Sequence, residues 1–127
     1  IPVYNAEKYI QQCIESVLNQ KSQNFLLVIV DDGSTDNSLQ IIKSLEPKHK
    51  GHIIRQENAG VSAARNSGID YVLNHLNANY IMFLDADDVW FPGWYDTEVE
   101  KLISEDFDTI IFNSTGFKKK RKNRQHF

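Results

Sequence analysis

The sequence predicts an α/β fold in which a mostly parallel sheet is sandwiched between helices. Two observations carry this expectation. Short continuous apolar runs end in acidic residues, and the stretches between them place apolar residues three or four positions apart. Strands that alternate with helices in this way form right-handed βαβ units. In such open sheets ligands bind outside the carboxyl ends of the strands, so residues just after each strand are the first candidates for function.

Taken in chain order, Ile1-Pro2-Val3 reads as the end of a strand. Ile10, Ile14, Val17 and Leu18 then mark a helix, with Asn5 as a candidate N-cap. The run from Phe25 to Val30 is a buried parallel strand, closed by Asp31 and Asp32. Leu39, Ile42 and Leu45 mark a second helix, entered through Asp36 as a candidate cap, and His52 to Arg55 is a weaker strand candidate. Val61, Ala64, Gly68, Val72 and Leu76 give a third helix, and Tyr80 to Leu84 a second buried strand closed by Asp85. Pro92-Gly93 punctuates the entry to a helix marked by Tyr95, Val99 and Leu102, and Thr109 to Phe112 closes the series as a last weak strand. Residues 1–113 are expected to form one domain and residues 114–127 a basic tail or inter-element segment. The chain starts at Ile1, already at a strand end, which suggests a piece of a longer protein.

Composition narrows the partners. Residues 1–117 hold 8 Lys+Arg against 17 Asp+Glu, a net of −9, while the last ten residues carry six Lys+Arg and no acid. An acidic body repels nucleic acid and bare phosphate, so a phosphorylated ligand calls for a bridging cation. Cys13 is the only cysteine, which excludes an internal disulfide and a cysteine-based zinc site and fits a reducing, cytoplasmic setting. No apolar run approaches the roughly 20 residues that a membrane span requires. The basic run from Lys118 to Arg124 is most simply a solvated segment, and secondarily a candidate for peripheral contact with the anionic inner face of a membrane. The four histidines show no metal-ligand spacing, and no Ser, His and Asp arrangement suggests a nucleophile.

Three loops fall at the predicted carboxyl edge: Tyr4-Asn5, Asp31-Asp32-Gly33-Ser34-Thr35-Asp36 and Asp85-Ala86-Asp87-Asp88. Six carboxylates on one rim repel unless a divalent cation or hydrogen-bond donors compensate. The Asp85-Ala86-Asp87 spacing suits a hard cation, Mn²⁺ or Mg²⁺, with diphosphate oxygens and water in the remaining positions. Taken alone, an Asp-x-Asp is more often a turn and helix cap, and its place after a buried strand in an acidic body is what makes it a candidate. Gly33 to Asp36 read as a turn and cap, yet two acids abutting the strand exceed what a turn needs, and one of them suits the imide N–H of uracil. For Arg65, ion pairing with a neighbouring acid and contact with a ligand stay equally open. Trp90, Phe91, Trp94 and Tyr95 read as packing residues, one of which could wall a sugar pocket.

The segments Ile1-Pro2-Val3-Tyr4-Asn5, Val30-Asp31-Asp32-Gly33-Ser34-Thr35-Asp36-Asn37-Ser38, Asn58 to Gly68 and Phe83-Leu84-Asp85-Ala86-Asp87-Asp88 together resemble the successive motifs of family 2 glycosyltransferases with the Rossmann-like GT-A fold. The resemblance covers residues 1 to about 113. It implies transfer of a sugar from a nucleotide diphosphate donor, commonly UDP-linked, to a hydroxyl acceptor with inversion. By matching position, Pro2, Tyr4, Asn5 and Glu7 would lie beside the base and ribose, and Asp32, with Asp31, would read the uracil. Arg65 would approach the nucleotide and Ala86 would face the donor. Asp87 would be the main metal ligand, with Asp85 near the ribose or reaching the metal through water. The acceptor would be a saccharide or lipid-linked saccharide, in a bacterial surface polysaccharide pathway. The family's general base comes from further downstream and nothing here matches it. The expectation is therefore a fragment that binds donor and metal, lacks the acceptor half and turns over little or no donor.

Two rivals come from other classes. An Asp-x-Asp also occurs in haloacid dehalogenase phosphohydrolases, but those place Gly and Thr directly after it, near the chain start, where this chain has Asp88-Val89-Trp90. Val30-Asp31-Asp32 resembles the acidic pocket of receiver domains, but those end a late strand in Lys, where this chain has Asn113.

Overall fold

The computed structural model describes residues 1–46 and 51–105. The strand expected at 109–112, the domain boundary at 113 and the basic run lie outside these residues. Among them, three strands form one parallel sheet in the order β1 (Pro2–Val3), β2 (Leu27–Asp31) and β3 (Gly51–Arg55). The helices are α1 (Ile10–Leu18), α2 (Ser38–Leu45), α3 (Val61–His75) and α4 (Glu100–Ser104), the last entered through a π-helical turn at Tyr95–Val99. This is the expected mixed α/β architecture.

Alternation along the strands sorts the side chains between two faces. Val3, Leu27, Ile29 and Ile53 meet Ile10, Ile14 and Val17 of α1 and Ile42 and Leu45 of α2 on one side. Ile10, Ile14, Ile29 and Ile42 are each fully buried, and each such side chain contributes about 1.5–3 kcal/mol. The opposite face carries Val28 and Val30 and receives α3, where Gly68 lets the helix approach until an added Cβ would stand 3.4 Å from Val30 Cγ2. Ala64 is the only buried residue of α3. The α1/α2 side is therefore the apolar core, and α3 depends more on polar links. One of these is the hydrogen bond between the Tyr71 hydroxyl and His52 Nδ1 of β3, 2.9 Å long.

The run from Tyr80 to Leu84 departs from expectation. It forms no strand, none of its residues is buried, and Ile81, Met82 and Phe83 are exposed. A cavity of about 590 Å³ is lined by Ile1, Pro2, Val28 and Val30 together with residues 77–84. The physical reason lies in β1, which is two residues long and uses the carbonyls of Ile1 and Val3 to accept from the N–H groups of Val30 in β2 and of Asp32 just after it. Its outward edge is left to Pro2, which has no N–H to donate.

Beyond Leu84 the chain is held by α1 and by aromatic packing. Trp90 stacks on Tyr95 with ring centroids 5.6 Å apart, and Phe25 meets both edge-on. Buried Gln20 donates to the carbonyls of Ser16 and Phe91 and accepts from the Tyr95 N–H, tying the entry of the last helix to the end of α1. Asp96 accepts from the N–H groups of Lys21 and Ser22.

At the carboxyl edge Gly33 has φ +74°, and a Cβ there would lie 2.8 Å from the backbone nitrogen of Asn58. Gly33→Ala is therefore expected to cost about 3 kcal/mol or more, from left-handed strain and a clash with backbone that cannot yield. Denaturant unfolding checks this, and a midpoint equal to that of the unsubstituted chain refutes it.

Candidate functional site

The rim of the sheet is built from two pairs of loops. The first pair follows β1 and β2. Asn5, at φ +48°, is exposed, and its side-chain oxygen accepts from the N–H groups of Thr35 and Asp36. In return the N–H groups of Asn5, Ala6 and Glu7 donate to the Ser34 hydroxyl, the Ser38 hydroxyl and Asp36 Oδ2. Glu7 accepts from both the backbone and the side chain of Asn37. Asn5 is therefore not the cap of α1, which starts after Tyr9 with no side-chain cap at all. Its partners lie thirty residues away. Asp36 does serve the start of α2, accepting from the Ser38 N–H at 2.9 Å. Tyr4 is half exposed beside this zipper, and Pro2 is buried in β1.

The second pair joins the end of β2 to the start of α3. Asp32 is buried, and its carboxylate accepts from the N–H groups of Ala59 and Gly60, both at 2.9 Å, and from the Gln56 side chain at 2.7 Å. The Asn58 side chain donates to it at 3.4 Å. Gly60 is the N-cap of α3 with φ +92°, so the carboxylate sits where the helix dipole is positive. Burial pushes the Asp32 carboxyl up, but these hydrogen bonds outweigh burial and hold it below the ordinary carboxylate value. Asp36 shows the same balance, with burial opposed by the hydroxyl and N–H of Ser38 and the N–H of Glu7. In this part of the rim, hydrogen-bond donors compensate the negative charge. Asp31 is fully buried. Its Oδ2 has no hydrogen-bond partner and faces Arg55 Nε at 3.6 Å.

The acidic loop reaches the same region through α3. Arg65, one turn into the helix, holds Asp85 Oδ1 at 2.6 Å. The ion-pair alternative for Arg65 is thus the one realised without a ligand. Both side chains are partly exposed, so the pair is worth at most about 1 kcal/mol and is readily exchanged. The Arg65 Nε is buried and has no hydrogen-bond partner. From Asp85 the chain turns, with Asp88 N–H on the Asp85 carbonyl, and Ala86 packs against the core. Asp87 is exposed and makes no hydrogen bond or ion pair among the described residues.

The loop hangs on α1, not on a neighbouring strand. Cys13 Sγ lies 3.5 Å from the Asp85 carbonyl, and the Trp90 N–H donates to the Ser16 hydroxyl. Burial pushes the Cys13 thiol up to about 12, so it stays neutral. Cys13, Ser16 and Gln20 are positioning residues that periodicity alone does not single out. Their only sequence signal is small or polar character on the inward face of an amphipathic helix. Among the described residues no three His, Cys, Asp or Glu side chains are grouped to hold a metal. Asp85 and Asp87 nevertheless supply hard oxygen donors of the type that Mn²⁺ or Mg²⁺ takes when substrate phosphates complete the shell. No helix among these residues is long and apolar enough to cross a membrane.

Because the folded Asp32 and Asp36 carboxyls lie below their ordinary value near 3.8, their stabilisation is complete above that pH and is lost as pH falls through the depressed values. Asp32→Asn should lower stability at neutral pH by about 2 kcal/mol and flatten the decline below pH 4. Unfolding midpoints measured from pH 7 to pH 2 check both, and an unchanged acid limb in the variant refutes the assignment.

Comparison with known proteins places this geometry. The model of the family described as "Glycosyl transferase family 2" matches residues 1–127. Glycosyltransferase GlyA of Streptococcus pneumoniae is 40% identical over 118 residues, which is 92% of this chain and 16% of GlyA. The minor teichoic acid biosynthesis protein GgaA of Bacillus subtilis is 43% identical over 95 residues, 71% of this chain and 21% of GgaA. The crystal structure of Staphylococcus aureus TarS 1-349 in complex with UDP-GlcNAc superposes with a TM-score of 0.71 at 29% identity, covering 82% of this chain and 30% of that one. The chain spans 16% of the length of GlyA and 37% of that of GlyG, another relative from Streptococcus pneumoniae. With a GT-A-type α/β fold and a family match along its whole length, the chain belongs to glycosyltransferase family 2.

Proposed function

We propose that this chain forms the nucleotide-sugar-binding part of an inverting, metal-dependent glycosyltransferase that uses a UDP-sugar and acts in the synthesis of a bacterial surface polysaccharide. One observation carries the reading. The start of α3 serves two carboxylates at once, its N–H groups holding Asp32 and its Arg65 holding Asp85. A base-reading acid and the first acid of the Asp-x-Asp loop are thereby tied to one helix end, as one nucleotide diphosphate requires. The bound UDP-GlcNAc in TarS supports the choice of donor class, and the teichoic acid biosynthesis of GgaA supports a surface glycan. The family match favours this reading over the phosphohydrolase and receiver alternatives.

In this reading the base lies against the Asp32 and Asp31 side of the rim, and the ribose lies near Pro2, Tyr4, Asn5 and Glu7. Arg65 turns from Asp85 to the diphosphate, which is feasible because the ion pair is weak and partly exposed. Asp87, with Asp85, would hold Mn²⁺ or Mg²⁺, and the cation would neutralise charge on the leaving diphosphate. Ala86, packed on the core, keeps the loop backbone in place under the donor. The acceptor hydroxyl, of a saccharide or lipid-linked saccharide at the inner face of the membrane, would give its proton to a general base from a part of the protein downstream of these residues and attack the anomeric carbon as the nucleoside diphosphate leaves. Configuration inverts in that single displacement.

Calorimetric titration with UDP, GDP and TDP, each with and without Mn²⁺, tests the reading. UDP should bind best, Mn²⁺ should tighten it, and Asp87→Ala should lose about tenfold or more in the presence of Mn²⁺ while keeping the metal-free affinity. A variant whose UDP binding is tightened by Mn²⁺ as much as that of the unsubstituted chain would remove Asp87 from the metal site.

A further inference from the structure

The Asp32 carboxylate has no free acceptor position. Oδ1 takes the Gln56 amide at 2.7 Å and the Ala59 N–H at 2.9 Å. Oδ2 takes the Gly60 N–H at 2.9 Å and the Asn58 amide at 3.4 Å. Two donors on each oxygen fill the lone-pair directions of a carboxylate. An incoming base that reads Asp32 must therefore displace one of the four.

The four are not equally displaceable. Two are main-chain N–H groups, of Ala59 and of the N-cap Gly60 just before α3, which cannot swing away as a side chain can. The Asn58 amide also donates to the Asp32 backbone carbonyl at 3.1 Å, which keeps it in place. Only the Gln56 amide holds Asp32 through a rotatable side chain with no second grip on that residue. Its other end is held from α3, where the Ser67 hydroxyl donates to Gln56 Oε1 at 2.6 Å. Gln56 is half-buried and, with Gly33, Arg55, Glu57 and Asn58, lines an open recess of about 520 Å³ at the carboxyl edge.

We infer that the Gln56 amide, oriented by Ser67, occupies the acceptor on Asp32 that the imide N–H of a uracil-type base takes, so that Gln56 competes with the base and sets the affinity and base preference of the donor site. The two donors are chemical equivalents, each a neutral N–H beside a carbonyl, and exchanging one for the other keeps the Asp32 oxygens fully paired. When the base enters, Gln56 swings away and stays tethered through its backbone N–H on the Asp31 carbonyl. A base lacking a suitably placed N–H offers Asp32 nothing in exchange and leaves Gln56 where it is. This rests on the donor-site reading above and adds to it a residue that discriminates between bases.

Calorimetry on the unsubstituted chain, Gln56→Ala and Ser67→Ala tests the inference, with UDP and with 3-methyl-UDP, whose N3 bears a methyl group in place of hydrogen. Gln56→Ala should bind UDP about three- to tenfold tighter, since a competing hydrogen bond to a charged acceptor is gone, and 3-methyl-UDP no more tightly than before. Ser67→Ala, which leaves Gln56 present but unoriented, should move UDP affinity in the same direction by less. Equal or weaker UDP binding by Gln56→Ala, or equal gains for both nucleotides, overturns the inference while leaving the donor site intact. Failure of the unsubstituted chain to bind UDP with Mn²⁺ overturns the donor-site reading and this inference with it.

Discussion

The rim of this molecule depends on one buried carboxylate meeting the start of a helix. A charge as deeply enclosed as that of Asp32 is tolerable only when oriented donors replace the water it has lost. Ala59 and Gly60 provide those donors at the positive end of a 15-residue helix. The arrangement joins the tip of β2, the turn after β3 and the first residues of α3, and it brings Gly33 into close contact with Asn58. Arg65 extends the same helix end to Asp85, so the placement of the acidic loop depends indirectly on Asp32 as well.

The rim and the acidic loop are supported differently. Beneath the first lies the apolar layer between the sheet and α1 and α2, where close-packed isoleucines resist displacement. Beneath the acidic loop, Cys13 and Ser16 of α1 and Gln20 just beyond its end hold that loop and the aromatic block after it through hydrogen bonds to backbone groups. Helix α1 thus supports both the core, on its apolar stripe, and the acidic loop, through Cys13 and Ser16. The link across the top, Arg65 to Asp85, is the weakest of the connections and the one best suited to change partners.

Much of the fold is legible in the sequence because an apolar run followed by acids marks both a strand and the direction in which it ends. Val30-Asp31-Asp32-Gly33 places the carboxyl edge correctly, and the three-four spacing in α1 and α2 picks out Ile10, Ile14, Val17, Ile42 and Leu45 of their buried faces but not Cys13 or Ser38. Legibility fails where the outcome depends on a distant partner. Residues 80–84 have a strand's composition, but composition is silent about the two-residue length of β1 and the missing donor of Pro2 on its outer edge. Asn5 has a cap's chemistry, yet its acceptor is claimed by Thr35 and Asp36. Gln56 and Ser67 belong to no acid cluster, and only folding brings them into line with Asp32.

The helix start grips Asp32 with main-chain N–H groups, and this has a consequence for drift at those positions. At 59 the grip is indifferent to side-chain identity, so any amino acid that retains its amide hydrogen can serve, and proline alone is barred. At 60 nothing crowds a side chain, since no atom lies within 4 Å of an added Cβ, yet φ +92° confines the position to glycine. Neighbouring positions that serve one carboxylate are therefore held to opposite standards, one nearly free in its choice of residue and the other with no alternative.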